Sequence, residues 1–205
     1  MDRRDFFRRG IEKVTKVVVE EVDARVAKKA SRYIRPPYAV SEVEFLLACT
    51  RCGDCIEACP HDVVFKLSSS LGADVVGTPA LNLLNKGCHL CEDWPCVNAC
   101  EVNALSLPII EPGINDEAGV EPELNTEPKS IPLPKLSLAS INEQTCLPFS
   151  GPECGACVPD CPVPGAMVLN NEKPYIVPVL CTGCGLCRQA CILDPKAITI
   201  SSLHS

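Results

Sequence analysis

The sequence predicts an α+β fold in which four short repeats form two lobes behind an N-terminal amphipathic helix. Three observations lead there. Sixteen of the 205 residues are cysteine, and they fall in four groups of four. Each group is followed by a turn and a brief apolar alternation, the pattern of a short strand. Only nine residues are aromatic (five Phe, three Tyr, one Trp) against 19 Pro. The bulky side chains that usually anchor a core are therefore nearly missing, and something else must hold the chain together.

The elements follow in order. Within residues 1–32, Ile11, Val14, Val18, Val22 and Val26 recur on one helical face among many charges, which predicts the amphipathic helix. Residues 33–104 hold the first pair of cysteine groups, Cys49, Cys52, Cys55, Cys59 and Cys88, Cys91, Cys96, Cys100. Val63-Val64-Phe65 and Ala104-Leu105-Ser106-Leu107 predict strands after them, and the Ser/Gly-rich stretch 68–86 predicts a loop with a short helix at Leu81-Asn82-Leu83-Leu84. Residues 105–140 carry six prolines, six acids, two lysines and no aromatic, a composition that predicts an exposed, partly extended connection. Residues 141–205 hold the second pair, Cys146, Cys154, Cys157, Cys161 and Cys181, Cys184, Cys187, Cys191, followed by the apolar runs Ala166–Leu169 and Ala197–Ile200.

The spacing of the cysteines points to chemistry. The first and last groups read C-x2-C-x2-C-x3-C; the second has four residues before its third cysteine, and the third has seven before its second. Three thiolates so close in sequence can wrap one corner of a [4Fe–4S] cubane, each on a different iron, while the fourth leaves on a helical turn and in two-cluster ferredoxins reaches the other cluster. Pro60 and Pro162 follow the fourth cysteine of their groups, as in the bacterial pattern. Gly53, Gly155, Gly183 and Gly185 sit between candidate ligands, where a missing Cβ lets the backbone curl around the cofactor. Disulfide frameworks do not repeat such a triplet four times, and zinc sites pair C-x2-C knuckles and would leave a third cysteine surplus. The expectation is four [4Fe–4S] clusters in two ferredoxin-like lobes.

Other chemistry is weakly supported. A formal charge of −7 lacks the basic face that nucleic acid requires. No apolar run approaches the roughly 20 residues of a membrane span. Neither G-x-G-x-x-G nor G-x4-G-K-[ST] occurs, and no nucleophile–base arrangement stands out, so no catalytic residue is assigned. His61 and His89 read as surface residues or neighbours of the ligands, and Trp94 as packing.

Several stretches resemble the NapG/MauM-type four-cluster ferredoxins: Arg35-Pro36-Pro37-Tyr38-Ala39 with Phe45 and Ala48–Gly53, then Cys88-His89-Leu90-Cys91-Glu92-Asp93-Trp94-Pro95-Cys96, the seven-residue gap before Cys154, and Cys181-Thr182-Gly183-Cys184-Gly185. The resemblance implies a non-catalytic electron-transfer subunit of a respiratory oxidoreductase complex. Its partners would be a membrane quinol-oxidising subunit and a reductase or dehydrogenase. A freely diffusing polyferredoxin and a structural or regulatory iron–sulfur protein are the alternatives.

Long connections, and a similarity to four-cluster subunits of molybdopterin oxidoreductases, favour a nested exchange of ligands. Cys191 would then join Cys49, Cys52 and Cys55; Cys59 would join Cys181, Cys184 and Cys187; Cys161 and Cys100 would cross likewise. The alternative pairs first with second and third with fourth, which the 19-residue gap between Cys161 and Cys181 also allows. Arg3-Arg4-Asp5-Phe6-Phe7-Arg8 resembles the twin-arginine export motif of the family, but the charges that follow leave only Val17-Val18-Val19 as an apolar centre, against the roughly 7–15 residues a signal requires. The expectation is a cytoplasm-facing protein held at the membrane through a partner, with periplasmic export as the alternative.

Overall fold

The computed structural model describes residue 30, residues 32–109 and residues 131–203. The predicted N-terminal helix and the central part of the connection lie outside the described residues.

Helix α1 (Glu42–Ala48) leads into the first cysteine group, and α2 (Asp54–Glu57), a single turn, follows inside it. Strand β1 (Val64–Lys66) and strand β2 (Pro79–Leu81) pair antiparallel, Val64 opposite Leu81, with a 3₁₀ turn at Ser69–Leu71 between them. Another single turn, α3 (Pro95–Asn98), closes the second group and packs against α2. In the second half, β3 (Leu138–Ile141), α4 (Leu147–Ser150), β4 (Met167–Asn170), β5 (Lys173–Ile176), α5 (Leu186–Ala190) and β6 (Ile198–Ser201) follow in turn. There β4 pairs with β5 and β3 with β6, both antiparallel. The described residues thus form three two-stranded sheets with short helices between them, an α+β arrangement.

Three of the four predicted strands are present, as β1, β4 and β6, each shifted one residue later. The fourth, after Cys100, is only a bridge between Ala39 and Leu105. Its partner segment contains Pro36, Pro37 and the left-handed Tyr38 (φ 54°), which cannot extend a ladder. The helix predicted at residues 81–84 is also absent. Leu81 belongs to β2, and the chain then turns, the Lys86 amide donating to the Asn82 carbonyl at 3.0 Å. The end of the connection departs from an exposed linker as well. Leu136 and Ser137 are buried, the Leu136 amide donates to the Thr182 carbonyl at 2.7 Å, and β3 begins at Leu138. Leucine and a strand partner for β6 draw this stretch inward.

Phe45 on α1 is wholly buried, and beside it lies the strongest polar network. Arg35 forks onto Glu42, Nη2 to Oε1 at 2.6 Å and Nε to Oε2 at 2.9 Å, while Nη1 donates to Thr78 Oγ1 and the Pro79 carbonyl. The guanidinium stacks 4.3 Å from the Phe45 ring centre. Burial, together with the Glu42 carboxylate that accepts its proton at 2.8 Å, pushes the Tyr33 hydroxyl well above its ordinary value. This bidentate pair ties α1 to β2. Replacing Glu42 by Ala would strand a buried guanidinium and should cost about 3–5 kcal/mol. Denaturant unfolding followed by far-UV circular dichroism would read this as a lowered midpoint, with a smaller loss for Glu42→Gln.

Candidate metal centres

The cysteine loops repeat in their backbone as well as their spacing. The residue before the second cysteine is left-handed in three of the four groups: Arg51 (φ 62°), Leu90 (φ 50°) and Gly183 (φ 73°). Two residues before the third cysteine the chain is left-handed again, at Gly53 (φ 101°), Trp94 (φ 44°) and Gly185 (φ 83°), and each of these caps the short helix that carries that cysteine. Bulky Leu90 and Trp94 in this region cost about 1–3 kcal/mol each, tolerated only where the surroundings over-determine the backbone. The group with the seven-residue gap departs: its left-handed residue is Gly151, and Gly155 is not left-handed.

Four cavities result, each lined by four cysteines. Site 1 is lined by Cys49, Cys52, Cys55 and Cys100; site 2 by Cys59, Cys88, Cys91 and Cys96. Site 3 takes Cys161, Cys181, Cys184 and Cys187, and site 4 takes Cys146, Cys154, Cys157 and Cys191. The nested grouping is therefore corrected to exchange between sequence neighbours. Cys55 on α2 faces site 1, and Cys59, four residues on, faces site 2; α3 does the reverse with Cys96 and Cys100. Long connections misled because they fold back on themselves: residues 60–87 return through β1 and β2, and residues 162–180 through β4 and β5.

The cavities are alike in volume, about 20 Å³ each. Among the described residues no three His, Cys, Asp or Glu side chains could hold a single metal ion. The thiols ring a space rather than converge on a point, which suits one thiolate per iron of a cluster better than tetrahedral zinc. Burial pushes the thiols of Cys55, Cys88, Cys96 and Cys187 up to about 12 and Cys157 up to about 11, with neighbouring thiols adding to the rise. Only a bound cation would hold such groups as thiolates near neutral pH. At site 3 burial pushes the Cys184 thiol up, and the neighbouring Thr182 hydroxyl offsets part of that rise; this buried hydroxyl has no other hydrogen-bond partner, so a sulfur acceptor fits there. The donor sets suit [4Fe–4S] clusters at all four sites.

The singled-out glycines divide. A Cβ on Gly183 would lie 2.1 Å from the Ser137 carbonyl oxygen, and one on Gly185 would lie 3.1 Å from the Leu83 carbonyl oxygen. Their close neighbours are thus returning chain. Gly53 would meet only the end of Lys66, and at Gly155 a Cβ would meet nothing within 4 Å. His61 and His89 stack at 3.6 Å beside site 2, and burial followed by the His61 charge holds His89 below its ordinary value. Trp94 is buried edge-on to Tyr38, a packing role. Sequence reading passed over Gly87 and Gln189, which meet across the two halves at 2.7 Å. A glycine directly before Cys88 was the available signal.

Comparison with known proteins agrees with this chemistry. The 4Fe-4S binding domain family matches residues 46–65. The chain is 35% identical over 188 residues to the methylamine utilization ferredoxin-type protein MauM of Methylophilus methylotrophus, covering 87% of this chain and 74% of that one. It is 33% identical over 180 residues to MauM of Methylobacillus flagellatus, covering 83% and 69%, and 31% identical over 192 residues to the ferredoxin-type protein NapG of Escherichia coli strain K12, covering 87% and 74%. No solved structure matches it. No described helix is long and apolar enough to cross a membrane. With these relatives, and with iron–sulfur electron transfer as their shared chemistry, the chain belongs to the NapG/MauM family of ferredoxin-type proteins.

Proposed function

We propose that the chain holds four [4Fe–4S] clusters, each on the four cysteines of one site, and relays single electrons along them between a membrane-linked donor, a quinol-oxidising subunit, and an oxidoreductase partner. Four matched cavities, each ringed by four cysteines and each adjoining the next, carry this reading. A bound cluster supplies a one-electron carrier whose potential answers to charge, hydrogen bonds and solvent around it. The protein supplies the rest.

Neighbouring sites adjoin in a single order. Cys55 of site 1 lies near Cys96 of site 2, Cys88 of site 2 near Cys184 of site 3, and Cys187 of site 3 near Cys157 of site 4. The sequence of sites 1, 2, 3, 4 is an extended relay in which sites 1 and 4 are the ends. Apolar side chains keep water from the interior: Val63, Val64 and Leu81 at site 2, Met167 and Ile176 at site 3. At site 1, Cys52 is the most exposed of the cysteines, and the half-exposed Val102 lines the cavity. That edge offers electrons a way in or out. Four thiols at every site, one for each iron of a cluster, support a carrier rather than a catalyst.

Anaerobic reconstitution should give sixteen irons and sixteen sulfides per chain, releasing protons at pH 8 because burial keeps Cys55, Cys88, Cys96 and Cys187 protonated. Zinc, or iron for only two clusters, would overturn the proposal. Cys100→Ser should alter one cluster signal in electron paramagnetic resonance and leave both sites of the second half intact, and Trp94→Phe should keep all four. Limited exposure to air should take iron first from site 1, with Cys52 the earliest cysteine trapped by iodoacetamide in a peptide map.

A further inference from the structure

Sites 2 and 3 come from opposite halves of the chain, yet they share a wall. The Cys88 amide donates to the Cys184 carbonyl at 2.7 Å. One residue earlier, the amide of buried Gly87 donates to Oε1 of Gln189, also at 2.7 Å, across 102 positions of sequence. Arg188 Nε adds a bond to the Leu84 carbonyl at 3.1 Å. The backbones meet nearly as closely as backbones can: a Cβ on Gly87 would lie 2.7 Å from the Leu186 Cα. Leu83, Leu136 and Leu186 close over the seam with Cys88 and Cys184 in one apolar cluster.

This wall differs from the other two in the relay. Sites 1 and 2 are locked together because Cys55 on α2 and Cys96 on α3 line one site each while Cys59 and Cys100, just past those helices, line the other. Sites 3 and 4 exchange Cys161 and Cys191 between the last two cysteine groups. No described helix spans sites 2 and 3, so among the described residues the seam is what joins them.

We infer that the Gly87–Gln189 contact sets the middle step of the relay, with Gln189 the positioning residue that holds Cys88 against Cys184. The inference rests on the four-cluster reading. A through-bond connection runs from Sγ of Cys88 along its own backbone to the amide, across one hydrogen bond to the Cys184 carbonyl, and on to Sγ of Cys184. One electron leaves the reduced cluster at one site and is taken up by the oxidised cluster at the other; no bond forms or breaks and no proton moves. Gln189 itself is exposed at the rim of the seam, so without its acceptor water would enter there to take the Gly87 amide and loosen the contact between the two halves. A carboxylate of the same length can accept the same bond, whereas a shorter amide cannot reach.

The test uses the fully loaded protein and its Gln189→Ala, Gln189→Asn, Gln189→Glu and Gly87→Ala variants. Electrons are supplied by a photoreduced flavin. Two quantities are followed by rapid-freeze electron paramagnetic resonance: the concentration-independent exchange of electrons between sites 2 and 3, and the spin–spin broadening between them. Gln189→Ala, Gln189→Asn and Gly87→Ala should keep the wild-type iron content while exchange slows severalfold and broadening falls; Gln189→Glu should match wild type. If Gly87→Ala does not fold, the three Gln189 variants carry the test. Unchanged exchange and broadening in Gln189→Ala, even with a lowered unfolding midpoint, would make Gln189 merely structural and overturn the inference. A wild-type protein with fewer than four clusters would instead fail at the iron analysis, and that result overturns the four-cluster reading beneath it.

Discussion

A helical turn advances the chain by about 5.4 Å, and the rest of this structure depends on that distance. In three of the four groups the third cysteine lies on a short helix and the fourth, four residues on, just past its end, so the two point into adjoining cavities. Cys55 and Cys59 do this for sites 1 and 2 from one side, Cys96 and Cys100 from the other. Two single turns packed against each other therefore define two sites, their spacing and the wall between them. Neither α2 nor α3 would be stable alone. Each persists because its ends are tied into cysteine loops and its face is shared with its neighbour.

The same economy explains how so few aromatic residues suffice. Conventional core is small and divided. Phe45, Ala104 and Leu105 pack around site 1, while Val63, Leu81 and Trp94 pack around site 2, and cysteines are members of the same apolar clusters rather than guests beside them. Bound clusters would complete this packing, so that metal loading and folding are one event. Where protein alone bears the load, the contacts are strong ones. The Arg35–Glu42 fork ties residues 35–42 to Thr78 and Pro79, and a guanidinium stacked on Phe45 keeps its charge satisfied while largely removed from water.

Left-handed residues show where the loops are most constrained. Glycine meets the requirement without strain at Gly53 and Gly185, but Leu90 and Trp94 hold the equivalent backbone with large side chains. In the case of Trp94 the ring is fully used, buried against Tyr38, and that packing offsets the local strain. The left-handed residues recur at fixed offsets from the cysteines because the wrapping of a cavity by three nearby thiols dictates the path of the backbone, whatever side chain happens to occupy it.

The grouping of cysteines in threes, the strands after Cys59, Cys161 and Cys191, and the iron–sulfur chemistry of the family were legible in the residues themselves, because each depends on spacings of a few positions along one chain. The partner of each fourth cysteine was not. Gaps such as 60–87 and 162–180 have the same length whether the chain travels or turns back, and only the pairing of β1 with β2 and of β4 with β5 decided that it turns back. Strand β3, drawn from the end of a proline-rich connection, likewise became a strand because β6 needed a partner. The contact of Gly87 with Gln189 joins residues 102 positions apart, and nothing in the local pattern around either one marks the other. Spacing along the chain determined which three thiols could line one cavity; the packing of short elements from distant segments decided which sites became neighbours, since a turn of four or five residues has no fixed place until another surface holds it.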